Sequence, residues 1–499
     1  MATSVYLAID LGASSGRHLA GTFDGKRLAL EEIYRFENGP VPAAGHLYWD
    51  LLHQWSNVVN GLRAAAALHG ERIRSIGVDT WGVDFGLLGR GDELLGNPYN
   101  YRDPRTDGMQ ELAFSLIPRD EIYAQTGLQF MQINTLYQLL AMKQANSPIL
   151  EKAESFLMMP DLFHWLLSGV KANEFTIAST TQFHNPREGI WAVDLFEKLQ
   201  LPTHILGDLI QPGHKLGTLL PTVAANTGLK RTIPIVVPGT HDTASAVAAV
   251  PAASATSDKP DWCYISSGTW SLMGVELPHP VINAECLARN FTNEGGVGGT
   301  TRLLKNICGL WLVQECRRVW SEAGTTYSWE YLTQRASEAP PLAAFINPDD
   351  PCFLAPADMP TAIRDYCTQT GQTPPANEGA IIRCALESLA LKYRQVLGWL
   401  EELTGSRLST VHIVGGGTQN RQLCQMAADA TQRPVVAGPV EATAIGNLLV
   451  QAIADGAIGS LQEARAVVRQ SFSVEEYTPK NQPQWDEAYE RFLGVIARR

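Results

Sequence analysis

The sequence predicts an α/β protein of two similar domains, each built on a mixed sheet covered by helices. Three observations predict it. Near the N-terminus an apolar strand, residues 5–10, meets a Gly-bounded turn at 12–16 and returns over 18–23; Asp24-Gly25 then turns the chain into a third strand at 28–36. The same device recurs at 262–274, where Ser266-Ser267-Gly268-Thr269 joins two strands just after a small, Pro-bounded stretch at 251–260. Finally, 499 residues exceed what one ordinary core accommodates.

The remaining elements follow in order. A helical segment spans 51–68 and a strand 73–79; the stretch 118–210 is helix-rich, and 159–169 reads as a capped helix stopped by Gly169. Ile381, Ile382, Ala385, Leu386, Leu389, Val396, Leu397, Leu400 and Leu403 keep helical spacing until Gly405. A strand at 411–414 then meets Gly415-Gly416-Gly417, a helix begins near Asn420, and a strand at 434–437 and a helix at 441–453 follow. Residues 485–499 form an amphipathic helix that packs on the rest. The expected division is 1–250, a linker at 251–261, a second domain at 262–480 and a C-terminal helix at 481–499.

Composition narrows the function. A formal charge of −12 with no basic run argues against nucleic acid. No apolar stretch reaches the roughly 20 residues that span a bilayer, and the first residues carry no basic leader. The eight cysteines lack a CxxC pair, which argues against zinc and fits a reducing cytoplasm; Cys367 and Cys384 are the pair to watch for a bond.

The chemistry concentrates in a few turns. At Pro238-Gly239-Thr240-His241-Asp242-Thr243 an apolar strand ends and a helix of small residues opens, which sets Asp242 where parallel sheets present reactive groups. A carboxylate there serves equally as a catalyst or as a helix cap. In Asp10-Leu11-Gly12-Ala13-Ser14-Ser15-Gly16-Arg17, backbone N–H groups, two hydroxyls and Arg17 suit a phosphate, and Asp10 suits a water-bound Mg²⁺; a tight hairpin wants the same glycines. Three consecutive glycines at 415–417 imply something approaching closely, such as adenine or phosphate. No turn is a Walker A loop or a GxGxxG dinucleotide site. Trp81 and Trp270 read as core aromatics or as sugar platforms, Asp79 and Asp84 as caps or turns, Arg102 and Asp103 as a structural ion pair, and His164 and His184 as ordinary packed or surface residues.

Two phosphate hairpins in two similar domains, with a glycine cluster before a late helix, resemble the actin-like ATPases and, block by block, the FGGY family of carbohydrate kinases. The resemblance runs through 10–17, Gly77-Val78-Asp79-Thr80-Trp81-Gly82-Val83-Asp84-Phe85, Tyr101-Arg102-Asp103-Pro104-Arg105-Thr106, 158–169, 233–245, 268–274, Thr292-Asn293-Glu294-Gly295-Gly296, Leu304-Lys305-Asn306 and 412–417. It implies two ribonuclease H-like domains, each with a mixed five-stranded sheet, closing over a cleft. It implies that Ala13, Ser14, Ser15, Gly16, Arg17, Thr269, Gln314 and Gly416 contact ATP; that Gly82, His241, Asp242, Thr243 and Asn306 contact a ketose; that Asp242 is the general base; and that Asp10 serves Mg²⁺. The matching blocks favour members that act on L-rhamnulose at its 1-hydroxyl. Alternatives are a kinase for L-fuculose or L-xylulose and, more remotely, a non-enzymatic nucleotide switch. ATP and the sugar are the expected partners of a cytoplasmic monomer or weak homo-oligomer.

Overall fold

The structure, a computed structural model, describes residues 3–498. Its contacts divide the described chain into two compact units: residues 3–257, 276–303 and 441–472 form one, and 258–275, 304–440 and 473–498 the other. The first sheet has the strand order Lys215–Thr218, Pro234–Val236, Ile73–Thr80, Ser4–Leu11, Ser15–Phe23, Leu28–Glu37. Its central strand, Ser4–Leu11, pairs antiparallel with Ser15–Phe23 and parallel with Ile73–Thr80, so the sheet is mixed as expected. It has six strands rather than five because the short Lys215–Thr218 adds an antiparallel edge. The other sheet has seven strands rather than five, in the order Thr292–Gly295, Thr301–Cys308, Trp270–Leu277, Trp262–Ser267, Thr410–Val414, Val435–Ala437, Glu475–Tyr477, and again mixes antiparallel and parallel pairs.

The boundaries expected from the sequence are co-linear, and the compact units are not. Helix Ala442–Ala454, anticipated as the close of the second domain, packs in the first unit on strands Ser4–Leu11 and Ile73–Thr80. Polar side chains fix it there: Gln451 Nε2 donates to the Leu7 carbonyl at 3.0 Å, and Ser75 Oγ donates to Gln451 Oε1 at 2.6 Å. The C-terminal helix Gln482–Ile496 packs in the second unit against Arg421–Thr431 and Glu378–Thr404 rather than standing apart.

Local signals start and stop the helices. Leu51–Leu68 begins where the Asp50 carboxylate accepts from the His53 N–H at 3.0 Å. Glu378–Thr404 begins at Asn377, whose side chain accepts from the Ala380 N–H, and ends at Gly405 with φ 62°. Met159–Ser168 does end at Gly169, in the left-handed region with φ 76°. Its start has no side-chain cap; Pro160 in the first turn sets it instead. All eight cysteines are free of disulfides; a contact with Cys367, together with burial, pushes the Cys384 thiol well up. Among the described residues no helix is long and apolar enough to cross a membrane.

His164, on helix Met159–Ser168, is buried and has a definite task. The strand Pro234–Val236 is so short that it pairs with Ile73–Thr80 only through Ile235 and Ile76. Beyond that point the Val78 N–H donates to His164 Nε2 at 3.1 Å. Burial lowers the pKa of His164 from 6.5 to about 3. Between those values the unfolded chain binds a proton that the folded chain refuses, so this residue's contribution to stability is intact above pH 6.5 and declines as pH falls toward 3. His164→Gln keeps an acceptor for Val78 and removes the titration. Urea midpoints measured across that window should show an acid limb shallower by about 1.4 kcal/mol per pH unit than the native protein's.

Candidate active site

In the first unit three carboxylates gather at neighbouring strand ends. Asp10, on Ser4–Leu11, is in register with Asp79 on Ile73–Thr80. Thr80 in turn donates its N–H to the Thr240 carbonyl at 2.9 Å and forms a single parallel bridge with His241, which places Asp242 next along the same edge. Asp242 is the first residue of helix Asp242–Ala248, with His241 at the cap position. It is therefore not the cap itself: its Oδ1 accepts from its own neighbour, the Thr243 N–H at 2.6 Å and the Thr243 hydroxyl at 3.2 Å. Its side chain is 34% exposed. Burial raises its pKa, reinforced by the charge of Asp10 and opposed by the hydrogen bonds from Thr243.

Asp79 is the most perturbed of the three. Its Oδ2 accepts from Asn447 Nδ2 at 2.6 Å, while Oδ1 is buried without a partner. Burial first, then the charge of Asp10, pushes its pKa well up, with Asp242 adding to the effect. A reading of Asp79 as a cap or turn residue missed this; the recoverable signal was its position, like that of Asp10, at the end of an apolar strand.

The first Gly-rich turn is a tight hairpin in which Gly12 N–H donates to the Ser15 carbonyl at 2.9 Å and Asn38 Nδ2 donates to the Gly12 carbonyl at 2.7 Å. Ala13 and Ser14 form its tip. Gly16 is glycine for a packing reason, since a Cβ there would lie 2.2 Å from the Phe36 ring. Arg17 Nη2 donates to Asp10 Oδ2 at 2.6 Å, and its Nη1 pairs with Glu441.

The loop carrying His241 and Asp242 hangs on a residue that the sequence did not flag. Glu174 is buried and accepts from the Thr240 N–H at 3.2 Å and hydroxyl at 2.5 Å, as well as from Thr176 and Ile177. The Thr176 hydroxyl accepts from the His241 N–H at 3.2 Å. Burial raises the Glu174 pKa against these hydrogen bonds. Gly82 borders His241, because a Cβ there would meet Thr180 at 3.3 Å and His241 Nε2 at 3.4 Å.

Asp84 organises the aromatic cluster beneath. Its carboxylate accepts from the indoles of Trp49 at 2.6 Å and Trp81 at 2.9 Å and from Gln138 at 3.0 Å, while burial lifts its pKa to about 6. Trp81 is buried against Trp49, with ring centroids 4.0 Å apart, and so belongs to the core. Asp103 pairs with His46 and accepts from the Leu47 N–H at 2.6 Å, which identifies it as a structural carboxylate. His184 is buried, as is His164.

In the second unit, two residues expected to contact nucleotide lie together. The turn at Gly268 and Thr269 seats helix Trp311–Glu322 through the Leu310 N–H to Gly268 carbonyl bond, 3.1 Å, and the Trp311 N–H to Thr269 carbonyl bond, 3.0 Å. The Thr269 hydroxyl then reaches Gln314 Oε1 at 3.3 Å. The triple glycine resolves into two roles. A Cβ at Gly417 would lie 2.0 Å from the Ser267 hydroxyl, and one at Gly415, where φ is 87°, 3.1 Å from the Ser267 carbonyl. What approaches these two is the hairpin turn itself. Gly416 alone has nothing within 4 Å of such a Cβ. Asn306 lies on strand Thr301–Cys308 of this unit.

No group of three or more His, Cys, Asp or Glu side chains arranged to hold a metal occurs among the described residues. Mg²⁺ asks for less: it keeps most of its waters and takes one or two carboxylates plus phosphate oxygens. The orphaned Oδ1 of Asp79 and the carboxyl group of Asp10 beside it fit that donor set.

Residues 5–249 match the N-terminal domain, and 263–454 the C-terminal domain, of the FGGY family of carbohydrate kinases. The chain is 46% identical over 491 residues to a rhamnulokinase of Bacteroides thetaiotaomicron, covering 98% of this chain and 99% of that one. It is 43% identical to a rhamnulokinase of Pectobacterium atrosepticum, covering 99% and 97%. Among solved structures, a ligand-bound xylulose kinase from Lactobacillus acidophilus superposes with a TM-score of 0.79 at 15% identity, covering 99% of this chain and 97% of that one. Plasmodium falciparum glycerol kinase with ADP gives 0.77 at 14% identity, covering 99% and 98%; at such identities both bear on fold alone. With both domain models matched in order and full-length relatives above 40% identity, the chain belongs to the FGGY family of carbohydrate kinases.

Proposed function

We propose that this kinase transfers the γ-phosphoryl group of ATP to the 1-hydroxyl of L-rhamnulose, with Asp242 as general base. The observation that carries the base assignment is the position of Asp242 at the head of a helix: partly open, with Oδ1 engaged by Thr243 and its proton affinity raised by burial. A carboxylate in that state accepts the hydroxyl proton as the sugar oxygen attacks phosphorus. The substrate follows from the full-length relatives, which are rhamnulokinases. Gly82, His241 and Thr243 hold the ketose beside Asp242, and Asn306 adds a further sugar contact. Residues 13–17 hold phosphate oxygens, and Thr269, Gln314 and Gly416 the rest of the nucleotide; Gly416 suits this because its α-carbon faces open space. Mg²⁺, held by Asp10, would neutralise phosphate charge when bound. The reaction fits a cytoplasmic enzyme.

Coupled ADP release with a panel of ketoses tests the substrate. The highest kcat/KM is expected with L-rhamnulose; a higher value with L-fuculose or L-xylulose would reassign the sugar, and sugar-independent release would support a nucleotide switch instead.

A further inference from the structure

We infer that Arg302 and Glu294 are positioning residues that fix the tautomer of His241, keeping Nδ1 unprotonated and aiming the Nε2–H at Asp242 and the sugar. The inference rests on the reading of Asp242 as the base. Arg302 is fully buried, and its Nε donates to the Gly295 carbonyl at 2.8 Å, which locks the guanidinium plane. From that fixed plane Nη2 lies 3.1 Å from His241 Nδ1 and 3.2 Å from Glu294 Oε2. Glu294 Oε2 is itself 3.3 Å from the same Nδ1. Glu294 acting alone would draw a proton onto Nδ1. A guanidinium, however, has donors and no acceptor and does not lose its charge in proteins, so the ring nitrogen facing it must offer a lone pair. Arg302 also occupies the Glu294 oxygen that would otherwise claim the proton.

The consequence lies on the other edge of the ring. With Nδ1 accepting, the single proton of the neutral imidazole sits on Nε2, 3.5 Å from Asp242 Oδ1. Oδ1 already receives the Thr243 N–H and hydroxyl. Donors thus converge on Oδ1, and Oδ2 is left as the oxygen that takes the sugar proton. The opposite tautomer would turn a lone pair toward the carboxylate and rotate it away from this geometry.

The test is nuclear magnetic resonance of the full chain labelled with nitrogen-15 in its 11 histidines, with His241 assigned by the signals lost in His241→Gln. At neutral pH we expect the native protein to show an unprotonated Nδ1 and a protonated Nε2 at His241. An Nδ1–H tautomer or a doubly protonated ring would overturn the inference. The paired variant Arg302→Leu with Glu294→Leu removes donor and acceptor together, which buried ion pairs tolerate better than the loss of one partner. It should lose the tautomer preference and lower kcat on the order of 10²-fold with a smaller change in KM; retention of both would also overturn it. Should that variant fail to fold, Arg302→Lys, which keeps a cationic donor, is expected to keep the native tautomer, and a switch to Nδ1–H there counts against the inference. Asp242→Asn separates the two readings. Unimpaired turnover would remove the base assignment, whereas the His241 signature in the same sample judges the tautomer independently.

Discussion

Asp242→Asn is expected to lower kcat by about 10²- to 10⁴-fold, the range that one positioned general base contributes. KM for the ketose should change far less, because an amide of the same shape still accepts from the Thr243 N–H and still borders His241. Stability should move the other way. In the native protein burial disfavours the charged form of Asp242, and the charges of Asp10 and Asp242 both act on Asp79. A neutral side chain relieves that repulsion, so the thermal midpoint should hold or rise while activity collapses, as at other sites where function is kept at the expense of stability. Parallel losses of activity and midpoint would instead mark Asp242 as a structural residue. Turnover within a few-fold of native would withdraw its role as base.

The second large effect is Gly446→Ala. Inside a helix this change ordinarily stabilises by about 1 kcal/mol, because alanine has the higher helix propensity. Here the sign reverses. A Cβ at Gly446 would lie 1.8 Å from the Ser245 carbonyl oxygen, on the helix that Asp242 opens. The obstacle is backbone, so the two helices must part. Overpacking of this kind costs about 1–3 kcal/mol. Because helix Ala442–Ala454 also carries Asn447, which holds Asp79, the displacement reaches the carboxylate group and kcat should fall with stability. Gly398→Ala is the control: it lies in helix Glu378–Thr404 with nothing within 4 Å of the added carbon, so the ordinary gain is expected. Equal gains at both positions in urea denaturation would refute the packing account.

The two hairpins, the terminating glycines and the site of Asp242 were legible because each rests on neighbours in the chain: an apolar run, a turn, a cap. The resemblance implies only that Thr269 and Gln314 each contact ATP; their hydrogen bond, across 45 residues, left no local mark. Glu174, which holds the Thr240 loop from 66 residues away, left no local mark. Nor did the link from Asn447 to Asp79 across 368 residues, or that from Arg302 to His241 across 61. At the triple glycine the group that approaches Gly415 and Gly417 is Ser267 of this chain rather than adenine or phosphate, and only Gly416 stays open.

The sequence by itself therefore determined the α/β class, the doubled hairpin plan and the acid at the head of a helix, because backbone propensity and side-chain periodicity act over a few residues. Only the tertiary structure decided that helix Ala442–Ala454 belongs with the first unit, that Asp79 joins Asp10 and Asp242, and that a buried guanidinium faces His241. Those outcomes depend on desolvation and on hydrogen-bond partners that meet only when distant strands and helices pack, and burial is the quantity that a linear sequence does not state.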